Sequence, residues 1–458
     1  MKLLKTINFI LIILVILAAN IYSQHIEIQI SNYNGNTYLS SVTGEKNLLI
    51  DSISAGENSI YKFSLDKNKY NSGVYRFSLG SNAQSLWINF IYDGEDVKIR
   101  TDANNLSDSL KIISSEGNKL YYQFIKLNKE YKTKTELLQL ILSRYPNDDD
   151  FYKATQSKLH QLQNEYLDFV NNVSQKRPNS FISRYIKSSQ LPVVNPNLSM
   201  DKQLTFLKNH SLDNIDFNDD ELVNSDVFTN KTIEYLTYYR NPQLTKELLE
   251  QEFEKAVDSI LTRAKANLNV YSQIVEYLID GFKKFGFDKV LDYIVGNYVI
   301  KDDLCLDVKT EGLIKRRIDQ AKYFKIGNFV PDIVLSDSSG NVIELNKTTA
   351  KETLIVFYAS WCPHCKELLP RLNELYKSQK EKKFELFSIS LDTSRKDWTD
   401  FITNNNLGFI NVSDLKGWDG KAASDYFIYA TPTMFMIDRQ LKIIFKPMSV
   451  EEVRSIIN

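Results

Sequence analysis

The chain has 458 residues, 43% of them hydrophobic and 25% charged, with a net charge of −1. This is the composition of an ordinary globular chain of about three domains. Near-neutral charge excludes a general electrostatic attraction to nucleic acid or anionic lipid, and three cysteines exclude a disulfide-stapled scaffold.

Met1-Lys2-Leu3-Leu4-Lys5 is a short basic start, followed by the apolar run Phe9 to Ala19 and the polar junction Tyr22-Ser23-Gln24. Eleven apolar residues fall short of the roughly 20 that a membrane span needs. Residues 1–23 therefore read as a secretory signal peptide. Ile7 to Tyr22 gives sixteen mostly apolar residues, so an uncleaved anchor is the alternative. Either reading places the rest of the chain outside the cytoplasm. No cysteine stands at the junction to accept a lipid.

Residues 24–112 have a period of two. His25-Ile26-Glu27-Ile28-Gln29-Ile30, Ile60 to Leu65 and Val74 to Leu79 alternate apolar and polar, with turn clusters such as Asn34-Gly35-Asn36 between them. Short strands at this spacing predict a small β-sandwich. Its aromatics Tyr61, Phe63, Trp87 and Phe90 are expected in the core, with a ligand-binding face as the alternative. Residues 113–325 change to a helical period: Tyr152, Leu159, Leu162, Tyr166, Phe169 and Val173 mark one stripe, and Leu249, Phe253, Val257, Ile260 and Ala264 another. This predicts an all-α middle domain. Cys305 within it reads as a small buried apolar residue rather than a redox group.

The chemistry gathers in residues 326–458, expected to form an α/β domain. Trp361-Cys362-Pro363-His364-Cys365 follows the apolar run Leu354 to Ala359, where a strand hands over to a helix. Two thiols at this spacing can close and reopen a small disulfide. A cysteine at a helix N-terminus meets unpaired N–H groups and the positive end of the dipole, so Cys362 is expected as the thiolate nucleophile. Half a zinc site is the competing reading, but Cys305, His25, His160 and His210 are isolated. A purely structural disulfide is the other. No metal or bound cofactor is required, since the redox group is the Cys362–Cys365 disulfide itself.

Further motifs sharpen this. Gly327-Asn328-Phe329-Val330-Pro331-Asp332 leads into the strand-like Ile333-Val334-Leu335. Beyond the cysteines come a helix carrying Pro370, a strand from Phe384 to Leu391, a helix from about Lys396, and Ala430-Thr431-Pro432-Thr433 before the strand Met434 to Ile437. This order resembles the TlpA/ResA-like branch of the thioredoxin superfamily, the envelope-associated thiol-disulfide oxidoreductases. The resemblance implies a thioredoxin-like fold, a cis Thr431–Pro432 bond facing the disulfide, and a Thr431 backbone free to pair with an extended substrate. Trp361 and Pro363 would flank the bound substrate, and Cys365 would resolve the mixed disulfide. The layouts upstream resemble the β-domain and helical spacer of Gram-negative envelope members.

Pro363-His364 is the dipeptide of DsbA-type oxidants, and a donating or cationic His364 beside a thiolate would make the disulfide more oxidising. Two positions depart from the wider family. Val356 stands where thioredoxins carry a buried Asp, and Leu368 where TlpA/ResA-like proteins often carry a Glu. Glu367 is one place earlier, about 100° around a helix. The resemblance favours a reductase or isomerase of protein disulfides in the periplasm or cell envelope, with an upstream membrane electron donor or acceptor as partner. The alternatives are a DsbA-like oxidant, a peroxide-reducing antioxidant, which would need Thr at Ala359, and an envelope binding or scaffold protein whose thiols are secondary.

Overall fold

The computed structural model describes residues 23–81, 85–302, 304, 312–379 and 384–457. The expected leader up to residue 22 and Cys305 lie outside them. The chain divides into two compact units, Met1–Val290 and Leu291–Asn458.

The first unit opens with eight strands: β1 (Ser23–Ser31), β2 (Thr37–Thr43), β3 (Lys46–Ile53), β4 (Ile60–Asp66), β5 (Gly73–Ser78), β6 (Trp87–Tyr92), β7 (Val97–Asp102) and β8 (Lys111–Ser114). They form two four-stranded sheets, in the orders β4-β1-β7-β8 and β3-β2-β5-β6. Alternation puts Ile26, Ile28 and Ile30 of the first sheet in one apolar cluster with Leu39, Phe77 and Phe90 of the second. Tyr61, Phe63 and Phe90 are buried as expected. Trp87 is not: it is 47% exposed, at the start of edge strand β6, with the Arg76 guanidinium stacked 3.7 Å from its ring centroid.

Helices follow, among them Glu116–Leu142, Asp150–Lys176, Phe181–Ser189, Val227–Thr237, Lys246–Ala264 and Leu268–Lys284. Leu159, Tyr166 and Val173 are buried as their spacing predicts. Tyr152, Leu162 and Phe169 are only half-buried, because the inward stripe runs instead through Thr155, Gln163 and Val170. Strands and helices belong to one unit. Asn118 Oδ1 accepts from Ile91 N–H at 2.8 Å, its Nδ2 donates to Ile91 C=O at 2.9 Å, and Arg177 pairs with Glu95 at 2.8 Å.

The second unit carries β9 (Val334–Asp337), β10 (Val342–Glu344), β11 (Glu352–Tyr358), β12 (Phe384–Ser390), β13 (Ile410–Ser413), β14 (Thr433–Asp438) and β15 (Ile443–Phe445). They form one seven-stranded sheet, β10-β9-β13-β12-β11-β14-β15. β11, β12 and β13 run parallel, and β14 pairs antiparallel to β11. Thr353 to Tyr358 of β11 are all buried, which is why that strand reads as a continuous apolar run rather than an alternation. The helix Gly312–Tyr323, upstream of the α/β domain expected from residue 326, belongs to this unit. Arg316 and Gln320 donate to carbonyls of Trp418, Tyr426, Phe427 and Ile428, and the adjacent Phe324 joins the sheet's apolar core.

Candidate active site

The central strand β11 ends at Tyr358, and the chain turns through Ala359, Ser360 and Trp361 into the helix Pro363–Ser378. Proline suits the first helical position because that N–H has no partner within a helix. Cys362 is the N-cap, and its side chain makes no cap hydrogen bond. The helix buries Cys365, Leu368, Leu369, Leu372 and Leu375, a stripe at helical spacing. Leu368 is therefore an apolar core residue, while Glu367 is exposed to solvent. Val356 is fully buried. No carboxylate occupies either position at which the wider family carries one.

Cys362 is 4% exposed and Cys365 0%, and both are free thiols. Cys362 Sγ lies 3.3 Å from Thr431 C=O, across the cis Thr431–Pro432 bond. The two thiols are driven apart in acidity. Burial pushes Cys362 up, but the Thr431 side chain, the Cys365 thiol and the open backbone N–H groups of Cys365 and His364 outweigh it and hold the thiol below its ordinary value. Burial pushes Cys365 up to about 12, and the neighbouring Cys362 adds to the rise. One sulfur is prepared to attack, and the other keeps its proton.

The His364 side chain is exposed; its contribution to Cys362 is the backbone N–H. Pro363 is exposed, Thr431 and Pro432 are half-buried, and Trp361 is 53% exposed. Cys362 and Thr431 meet although they stand 69 positions apart in sequence.

Three residues that the sequence reading missed shape the site. Asp392 is 1% exposed and accepts from Ser360 N–H at 3.1 Å, Ser360 Oγ at 2.7 Å and Ser390 Oγ at 2.6 Å. It fixes the turn that delivers Trp361 and Cys362. Trp418 brings its ring centroid to 6.5 Å from that of Trp361. Arg317 stacks on Tyr429, 4.4 Å from the ring centroid, and pairs with Asp292 at 3.1 Å, while Tyr429 Oη donates to the same carboxylate at 3.2 Å. That braces the segment leading into Thr431–Pro432. Asp392 lies two residues past the end of β12; nothing local in the sequence marks Trp418 or Arg317.

The AhpC/TSA family model matches residues 326–446. A thiol-disulfide oxidoreductase ResA of Bacillus thuringiensis subsp. konkukian is 32% identical over 120 residues, which is 26% of this chain and 68% of that protein. The thioredoxin domain of a thiol-disulfide oxidoreductase from Bacteroides vulgatus is 25% identical, covering 29% of this chain and 99% of that one at a TM-score of 0.28. A thioredoxin-like protein from Bacteroides caccae is 18% identical, covering 58% of this chain and 97% of that one at a TM-score of 0.36. With two buried thiols of opposed acidity at the head of a helix, and with that extent of identity to ResA, the chain belongs to the TlpA/ResA-like thiol-disulfide oxidoreductases of the thioredoxin superfamily.

Proposed function

We propose that the chain reduces or isomerises protein disulfides in the cell envelope through its Cys-Pro-His-Cys dithiol. The observation that carries thiol-disulfide exchange is the divergence of the two thiols, Cys362 held below its ordinary value and Cys365 pushed up to about 12; the reducing direction follows the likeness to ResA. The Cys362 thiolate attacks one sulfur of a substrate disulfide, and the other substrate sulfur leaves as a thiolate that takes up a proton. Cys362 is then neutral and bonded, so it no longer opposes ionisation of Cys365. Cys365 gives up its proton and attacks Cys362 Sγ. The second substrate thiol leaves, and the enzyme retains the Cys362–Cys365 disulfide. An electron donor at the membrane would restore the dithiol.

The leader-like start supports the envelope as the place of action, and the upstream β-sandwich and helical segments would carry docking surfaces there. Among the described residues no helix is long and apolar enough to cross a membrane. The runner-up is a disulfide oxidant: a stabilised Cys362 thiolate favours the reduced form and so makes the disulfide more oxidising. The peroxidase reading is weakened by Ala359, where Thr would be needed. A reduction potential decides between the first two, with about −270 mV expected for a reductase and about −120 mV for an oxidant.

A further inference from the structure

We infer that Trp418 and Trp361 form an apolar wall beside Cys362 that selects disulfides whose cysteine is preceded by an aromatic or large aliphatic residue. This rests on the exchange reaction proposed above and adds the class of substrate. Trp361 directly precedes the nucleophile and is 53% exposed, and its ring meets that of Trp418 at 6.5 Å with the planes inclined by 52°. A large aromatic surface left open beside a reactive sulfur is a contact surface in waiting.

The loop that presents Trp418 is built to hold it still. Asp414 accepts from Lys416 N–H at 3.1 Å through one oxygen and from Lys421 N–H at 3.0 Å through the other. Gly417 adopts φ +58°, and a Cβ there would stand 3.1 Å from Thr393 Cγ2. A Cβ on Gly420 would stand 2.6 Å from both Asp414 carboxylate oxygens. Arg316 Nη1 then donates to Trp418 C=O at 2.8 Å and to Ile428 C=O at 3.2 Å. It thereby ties this loop to the segment that runs into Thr431–Pro432. The backbone that carries the ring is positioned before substrate arrives, so little loop-ordering cost is left at binding.

The test uses the full chain and two peptide disulfides that differ only in the residue before the cysteine, Phe in one and Ser in the other. The kcat/KM ratio is expected to favour Phe by about fivefold, the equivalent of roughly 1 kcal/mol of aromatic contact. Trp418→Ala brings the ratio near one and Trp418→Leu leaves an intermediate value. A ratio does not depend on how much of a variant is folded. Met448→Ala, at an apolar position 69% exposed outside this wall, keeps the native ratio. A native ratio near one, a ratio that survives Trp418→Ala, or a preference for Arg over Phe before the cysteine overturns the inference. Failure to reduce either peptide overturns the exchange reading itself, which is a different outcome.

Discussion

Two helix starts in this chain show opposite uses of the same unpaired backbone groups. At the head of the helix Glu116–Leu142, the Ser115 side chain accepts from Asn118 N–H at 3.1 Å, and Glu95 accepts from Gly117 N–H at 3.1 Å. Asn118 itself is fully buried and bonds both backbone groups of Ile91. That end is closed. At the head of the helix Pro363–Ser378 the N-cap is a cysteine with no side-chain cap bond, and the N–H groups of His364 and Cys365, left open there, favour the thiolate. A helix end closed by side chains and a carboxylate stabilises the fold; one left for a sulfur stabilises an anion that can react.

The largest effect expected from breaking this comparison is at the open end. Cys362→Ala lowers the rate of disulfide exchange on the order of a thousandfold or more, while Cys365→Ala traps a mixed disulfide that non-reducing electrophoresis detects. At the closed end, Asn118→Ala strands the Ile91 N–H and C=O groups and costs about 3 kcal/mol of stability, read by denaturant unfolding, with the exchange rate of the folded protein unchanged. Arg316→Met removes the charged donor shared by Trp418 and Ile428 and costs the second unit about 2 kcal/mol, also read by unfolding. Ser115→Ala removes one cap and costs about 1 kcal/mol, resolvable as a small shift in melting temperature.

A pH series sharpens the same contrast. Cys365 keeps its proton in the folded state up to about 12 against an ordinary 9.0. Its contribution to stability is therefore complete below 9 and is lost as pH rises toward 12. Cys365→Ala should flatten the fall in stability of the second unit over that window, measured by denaturant midpoints at fixed pH.

The spacing of Cys362 and Cys365, the proline after the first of them and Thr431-Pro432 were legible because each is a local pattern with one dominant chemical use. The strand alternation of residues 24–112 was legible for the same reason, since period two is written into adjacent residues. Trp87 misled because the first residue of an edge strand is flanked on one side only, and the neighbour that covers its ring is Arg76 rather than the apolar core. The helical stripe through Tyr166 was only half legible: Thr155 and Gln163 take inward places that an apolar pattern assigns to Tyr152 and Leu162. Trp418 and Arg316 were illegible, because their contact joins residues 102 apart in sequence and neither residue carries a local signature. The division of the chain into compact units at Val290/Leu291 has the same origin. The helix Gly312–Tyr323 reads as one more amphipathic helix until its Arg316 and Gln320 meet the carbonyls they serve.

The central claim is that the two thiols differ in acidity because one lies at an open helix end and the other beneath it. Alkylation of the reduced protein across a pH series, with each cysteine followed by mass spectrometry, tests it most directly. Cys362 should react at pH values below the ordinary 9.0, and Cys365 should stay unmodified until the pH approaches about 12. Two thiols that titrate together near 9 would contradict the account.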